Sequence, residues 1–252
     1  MLVALDCQGI RVDAADVSKS DGPFLCPACS EEVMLKKGEI KIHHFSHFPG
    51  SLCGYGSGET EEHRLCKRFV YNELKHYGHS TLLEMEHWLG SIIPDVYVEF
   101  GPVKVAFEIQ NSSISNEMLR HKALFYRDNS IYILWLVPWR GCLRKDTYSP
   151  AAWEKWIHQL YYGNVYYIKP WDDSFIHPVS FGVHWLYKDG GDYGSSYSYR
   201  SKRYRTPYHG DDLRLIGDFK RHKKKADHLA LVPGALILKH AAYKKKDIIN
   251  GR

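Results

Sequence analysis

The stretch from Ser91 to Ser113, SIIPDVYVEFGPVKVAFEIQNSS, constrains the fold of this chain more than any other. Two runs rich in Val, Ile, Phe and Tyr flank Gly101-Pro102, the pattern of a β-hairpin that buries at least one face. With Gly101 and Pro102 as turn residues, Phe100 pairs with Val103, and the same register sets Asp95 directly opposite Glu108 at the open end. Opposed residues hold their Cβ atoms about 4.5–5.5 Å apart, close enough for two carboxylates to share a divalent cation. Alternation places Glu108 and Gln110 on one face and Ile109 on the other. Charged residues near hairpin ends are also common on solvated faces, so this pair takes its meaning from the sequence around it.

At 252 residues, 44% hydrophobic and 25% charged, the chain has enough apolar content for one substantial core and a smaller module. It shows no apolar run of the eighteen or so residues that a membrane span needs, and MLVALDCQGIRVDA lacks the basic start and apolar core of a secretory signal. The expectation is a cytoplasmic protein with no membrane partner. The net charge of +5 hides an asymmetry: residues 200–252 hold fifteen Lys and Arg against five Asp, a net of +10, which leaves residues 1–199 at −5. This basic segment, interleaved with Tyr197, Tyr199, Tyr204 and Tyr208, fits an arm that tracks nucleic acid, with Arg203, Arg205, Lys223 and Lys224 as candidate phosphate contacts. Charge runs are as often merely solvated.

Three of the six cysteines fall between Cys26 and Cys53 beside several histidines, which suits a metal site in a reducing compartment better than a disulfide framework. Cys7, Cys66 and Cys142 read as ordinary buried thiols. The segment FLCPACSEEVMLKKGEIKIHHFSHFPGSLC resembles a zinc ribbon. Its C-x₂-C knuckle supplies two thiolates, and a hairpin turning at Lys37-Gly38 would return a second ligand pair in tetrahedral geometry. The candidate set is Cys26, Cys29, His47 and Cys53, with His44 as the rival to His47. Four protein ligands make such a zinc structural. Ahead of it, LVAL and IRVDA suggest a small strand pair.

After a glycine-rich linker at Gly54 to Gly58, ETEEHRLCKRFVYNELKHYG reads as a helix with three carboxylates at its start and Gly78 at its end. STLLEMEHW is a strand candidate before the hairpin. Ser115 begins a second helix, with Leu119, Leu124 and Phe125 available to pack, and IYILWLV reads as a buried strand. The order is helix, three strands, helix, strand. Beyond it, AAWEKWIHQLYYGNVYY suggests an aromatic-rich helix and another strand. Residues 189–211 read as flexible, and LRLIGDFKRHKKK and ALILKHAAYKKK as short elements with basic ends.

That order, with Pro-Asp opening one strand and Glu-x-Gln closing the next, resembles the core of PD-(D/E)XK nucleases. The residues resemble the competence protein CoiA-like family more closely still: CPAC at Cys26 to Cys29, HFSH at His44 to His47, ETEEHRLCK at Glu59 to Lys67, PDV at Pro94 to Val96 and EIQNSSIS at Glu108 to Ser115. Arg120 and Tyr126 match an Arg and a Tyr that often follow. The resemblance covers about the first 140 residues. It implies an α/β fold: a restriction-endonuclease-like αβββαβ core with a small N-terminal zinc-ribbon β module and a basic C-terminal extension. The corresponding expectation for domains is residues 1–57, 58–188 and 189–252.

The resemblance further implies a DNA nuclease dependent on Mg²⁺ or Mn²⁺, working in DNA uptake, processing or recombination. Asp95 and Glu108 would hold the catalytic cation with the Ile109 carbonyl, and Glu62 would assist from the first helix. Gln110 stands where the wider superfamily has Lys. An amide can orient water but carries no charge, so more of the charge stabilisation would have to come from the metal, or from Lys67 and Arg120. His63 and Lys67 would contact phosphate or move protons. Arg120 and Tyr126 join the candidate DNA contacts, the DNA being single-stranded or branched, and recombination or uptake proteins are candidate partners. Two other readings compete: a zinc-stabilised nucleic-acid-binding protein without catalysis, and an interaction protein that recruits a recombinase or helicase.

Overall fold

The computed structural model describes residues 1–170, 176–190, 194–215 and 238–240. A five-stranded sheet of order β2-β1-β3-β4-β5 comprises β1 (Val3–Leu5), β2 (Arg11–Asp13), β3 (Phe24–Leu25), β4 (Glu32–Lys36) and β5 (His44–His47). Then follow α1 (Glu61–Tyr77), β6 (Leu82–Met85), β7 (Val96–Phe100), β8 (Val103–Ile109), α2 (Asn116–Asp128) and β9 (Ile131–Pro138), the αβββαβ order expected from the sequence. The remaining elements are α3 (Ala152–Leu160), β10 (Val165–Ile168), β11 (Ile176–Lys188), β12 (Tyr197–His209), β13 (Leu213–Leu215) and β14 (Leu238–His240). The second sheet runs β14-β13-β11-β10-β9-β8-β7-β6, with β12 on β11. It is mixed: β8, β9 and β10 lie parallel and their neighbours antiparallel. No helix among the described residues is long and apolar enough to cross a membrane.

Local signals explain the boundaries of the two helices that matter here. Thr60 caps α1 by accepting the His63 N–H, and Gly78, at φ 74°, closes it in the left-handed region that favours glycine. Its inward stripe is Cys66, Phe69, Val70 and Leu74, while Leu65 is only half-buried. Ser115 caps α2 by accepting the Met118 N–H. The α2 stripe is Leu119, Ala123 and Tyr126, a spacing of four then three that keeps one face on the sheet, and it leaves Leu124 and Phe125 half-buried. The hairpin turns as expected, with Phe100 opposite Val103 and Gly101 at φ 59°. That register runs to Val96 opposite Phe107, the last pair of the hairpin, and Asp95 and Glu108 are the residues that follow it on either strand.

The N-terminal sheet corrects one expectation. The strand paired with β4 is HFSH itself, with Val33 opposite His47 and Leu35 opposite Phe45, so residues 37–43 form a connection and Lys37-Gly38 is no tight turn. Burial decides this: Phe45 is 1% exposed, worth about 1.5–3 kcal/mol, whereas Ile40 is 97% exposed and would gain nothing by pairing. The first four residues join the two cores. Leu2 and Val3 pack in the main core, and Met1 and Ala4 in the small one around Phe24, Val33 and Phe45. Two of the three thiols expected to be buried, Cys7 and Cys142, are exposed; only Cys66 is buried.

The C-terminal region corrects another. Residues 197–209, within a segment that reads as flexible, form a thirteen-residue strand paired along β11. The basic segments around Lys223 and Lys224 lie outside the described residues.

Candidate functional site

The small sheet brings four soft donors together. Phe24 and Leu25 pair with β4, so the CPAC knuckle that follows is folded back under β5, where the Cys29 thiol lies 3.4 Å from His47 Nε2. Ligand atoms of Cys26, Cys29, His47 and Cys53 all lie within 4.8 Å of one another. Thiolate and imidazole at that spacing match the tetrahedral coordination of zinc, whose bonds run about 2.0–2.3 Å. Burial pushes the Cys26 thiol up to about 12 and raises Cys29 as well, so the bare thiols hold protons that a bound cation would displace. His44 turns away: its Nδ1 sits 2.9 Å from the Ile42 carbonyl, and burial lowers its basicity. The cluster is able to bind a metal such as zinc.

The acidic centre lies at the open end of the β7–β8 hairpin, where a cavity of about 380 Å³ is lined by His63, Asp95, Glu108, Gln110, Asn111 and Lys122 among others. Asp95 takes its partners from α1 and from β8. Its Oδ1 lies 3.0 Å from His63 Nε2 and 3.3 Å from Lys67 Nζ, and its Oδ2 accepts the Ile109 N–H at 2.7 Å. Glu59, His63 and Asp95 place ligand atoms within 4.8 Å of one another, a group able to hold a cation. Two carboxylates with one imidazole suit a hard or borderline divalent ion such as Mg²⁺ or Mn²⁺.

Beneath this group Lys67 is 3% exposed and bridges three carboxylates: Glu59 at 2.5 Å, Glu86 at 2.7 Å and Asp95 at 3.3 Å. Burial disfavours its ammonium, but the three acids outweigh this and raise it well above the ordinary lysine value. The same balance acts on the acids. Burial works against the charge of Glu59, yet Lys67 and the Met1 ammonium, 2.8 Å away, bring it down to about 2. Asp95 is lowered too: burial is overcome by His63 and Lys67. His63 is raised, because Asp95 outweighs the burial of the ring.

Glu108 belongs to a separate pair of contacts, both from α2. Its Oε2 accepts from Lys122 Nζ at 2.7 Å, and its Oε1 from the Tyr126 hydroxyl at 2.5 Å. The hairpin thus delivers the two acids to one pocket, but each is held by a different helix, and the ligand atoms that come together are those of Glu59, His63 and Asp95, without the Glu108 that was expected to share the cation with Asp95. Gln110, 8% exposed, donates its side-chain amide to the Ser112 carbonyl at 2.6 Å.

Glu62 is outside the Glu59–His63–Asp95 group; Glu59, the residue before the Thr60 cap, takes the position expected of it. Lys67 lies under the acids and does not face the pocket where phosphate was expected to meet it. Tyr126, expected to contact DNA, is fully buried, with its hydroxyl donating to Glu108. Arg120 is on the exposed side of α2, and it is Lys122, two residues on, that reaches the site. Arg205 donates to the Ser201, Lys202 and Tyr204 carbonyls, whereas Arg203 is exposed beside the Tyr204 ring.

Sequence reading missed Glu59, Glu86 and Lys122. Glu59 was legible as the residue that precedes a cap and so folds back across the first turn. Lys122 lies four residues before Tyr126, which gives the two side chains a common helix face. Glu86, 2% exposed at φ 55°, accepts the Leu2 and Val3 N–H groups and so ties the first strand to the acidic centre, a contact with no local signal.

Comparison with known proteins follows this division of the chain. Residues 8–56 match the family description "Competence protein CoiA, N-terminal domain", and residues 59–180 match "Competence protein CoiA, nuclease-like domain". The Competence protein CoiA of Bacillus subtilis (strain 168) is 27% identical over 115 residues, covering 45% of this chain and 31% of that protein's length. No solved structure matches. Two domain descriptions of one family thus divide residues 8–180, the first containing the Cys/His cluster and the second the acidic pocket, and the chain belongs to the competence protein CoiA-like family.

Proposed function

We propose that this protein is a metal-dependent nuclease that hydrolyses phosphodiesters of DNA at the pocket between α1, α2 and the β7–β8 hairpin. The observation that carries the reading is the meeting of Glu59, His63 and Asp95, of which His63 and Asp95 line the pocket together with Glu108, Gln110 and Lys122. Bound by Glu59, Asp95 and His63, Mg²⁺ or Mn²⁺ supplies polarisation of a phosphoryl oxygen and a more acidic water. Lys122 provides the positive charge that Gln110 lacks and steadies Glu108 from one side while Tyr126 does so from the other. Gln110, whose side-chain amide is committed to the Ser112 carbonyl, keeps its carbonyl oxygen to accept from an attacking water. Lys67 keeps three closely spaced acids ionised in the free protein. The zinc-type cluster of the small sheet is structural: its four ligands leave no open position.

The name of the Bacillus relative, Competence protein CoiA, together with the nuclease-like domain description, supports a role in DNA uptake or processing. A second reading, a nucleic-acid-binding protein without catalysis, is favoured by one feature: the acids already have protein cations, Lys67 and Lys122, within 3.3 Å. Cleavage assays on single-stranded, branched and duplex DNA with Mg²⁺ or Mn²⁺ separate the two. The nuclease reading expects cleavage that Asp95→Asn reduces by about 10³-fold, roughly 4 kcal/mol of barrier. Intact substrates under all these conditions, or full activity of the variant, overturn it.

A further inference from the structure

The last part of the β11–β12 hairpin leaves the sheet. β11 pairs with β10 only over Ile176–Val179, and residues 183–188 pair with β12 alone. Between the pairs Val183–Arg205 and Trp185–Arg200, a single residue of β11 faces four of β12, a bulge that turns the ribbon. This bend is built: Ser201, 2% exposed, accepts the Tyr204 N–H, and the Arg205 guanidinium closes over three carbonyls of the bulge. The projecting ribbon is about 17 Å long at 3.4 Å per residue.

Its two faces differ. On one, Tyr197 and Tyr199 pack ring against ring at 5.9 Å, opposite Lys188 and Leu186. On the other, Trp185 is 62% and Tyr187 68% exposed, and neither has a ring or hydrogen-bond partner among the described residues. Arg200 lies directly opposite Trp185, and beyond it Lys202 and Arg203 are exposed; no ion pair holds these three among the described residues. Trp185 and Tyr187 are two residues apart, about 6.8 Å along the strand and twice the 3.4 Å rise between stacked bases of a duplex strand. Only bases that have been unstacked offer both faces at such a spacing, and base-on-ring stacking is indifferent to sequence.

We infer that the ribbon is a binding site for single-stranded DNA, with bases stacking on Trp185 and Tyr187 and phosphates passing Arg200, Lys202 and Arg203. This deepens the reading of the pocket as one that acts on DNA and rests on it. The root of the ribbon is linked to the pocket. Arg205 pairs through its backbone with Tyr148, whose hydroxyl donates to Glu154, and Arg140, 3.9 Å from Glu154, donates to the carbonyl of Asn111 in the pocket wall. These contacts tie the root of the ribbon to the Asn111 wall of the pocket.

The test uses the full chain in EDTA, so that binding is read without cleavage. Fluorescence anisotropy with a labelled oligo-dT and with a duplex of equal length compares wild type with Trp185→Ala/Tyr187→Ala, and size-exclusion chromatography follows the oligomeric state. The expected result is a loss of oligo-dT affinity of about tenfold or more, with duplex affinity within about twofold of wild type. Unchanged oligo-dT binding overturns the proposal, and so does an equal loss for the duplex. A shift from dimer to monomer with unchanged oligo-dT binding assigns the face to a second copy of the chain and overturns it too. Asp95→Asn keeps the two claims apart: it should reduce cleavage about 10³-fold and leave oligo-dT binding intact, so the ribbon can fail while the nuclease stands, and the reverse.

Discussion

Replacing Lys67 with Met removes the ammonium beneath the acidic centre and keeps nearly the same volume, so the cost is electrostatic and no cavity opens. The side chain is 4% exposed and its Nζ lies within 3.3 Å of Glu59, Glu86 and Asp95. Removing one partner from such a buried arrangement costs about 3–5 kcal/mol, because the remaining charges lose their compensation. For a chain of this size each kcal/mol moves the melting midpoint by about 2–4 °C, so Lys67→Met should melt roughly 6–20 °C below wild type in EDTA. A divalent cation at Glu59, His63 and Asp95 would restore part of the missing charge. Mg²⁺ or Mn²⁺ should therefore raise the midpoint of the variant by more than that of wild type. Thermal unfolding by circular dichroism, with and without the ion, reads both effects. A variant that melts within about 2 °C of wild type in EDTA refutes the reasoning, since the three acids would then need no buried counter-charge.

Tyr126→Phe removes one hydrogen bond to the Glu108 carboxylate, a contact of the kind worth about 1.5–3 kcal/mol. Cleavage should fall about 10- to 100-fold while the fold survives, and an unchanged rate would show that Lys122 alone orients Glu108. Metal analysis of the purified protein should find zinc retained in His44→Ala and lost in His47→Ala; the opposite pattern would reassign the fourth ligand. His158 accepts the Phe181 N–H at 3.0 Å, and burial lowers its basicity. The folded state therefore binds this proton less readily than the unfolded chain: its contribution to stability is complete above about pH 6.5 and is lost as pH falls below that value. His158→Gln, whose amide oxygen can still accept, should show a shallower fall in melting midpoint between pH 7 and 5, and an unchanged slope would place the acid sensitivity elsewhere.

The sequence made the αβββαβ order and the hairpin register legible because a two-residue turn leaves no freedom in pairing, and because Thr60, Gly78 and Ser115 mark helix ends by local chemistry. The CPAC knuckle was legible for the same reason, since two cysteines at that spacing bring their thiols to one point. What could not be read is long-range. Lys122 meets Glu108 only after α2 packs on the sheet, and Glu86 meets Leu2, Val3 and Lys67 across more than eighty and nineteen residues respectively. The strand over residues 197–209 escaped notice because its outer half is wet on both faces and so carries no alternation of apolar and polar residues. Residues 37–43 misled in the opposite way: Ile40 and Ile42 look like a strand, yet Ile40 faces water and Ile42 packs against the main core.

The central claim is that Asp95, with Glu59 and His63, holds a hard divalent cation beside Glu108 and Lys122. Crystals soaked in manganese and measured for anomalous scattering test it most directly. The account predicts a peak within about 2.0–2.6 Å of carboxylate oxygens of Asp95 and Glu59, absent from Asp95→Asn crystals treated alike. A pocket without a peak in wild-type crystals that take up manganese elsewhere, with Lys67 and His63 still paired to Asp95, would contradict it.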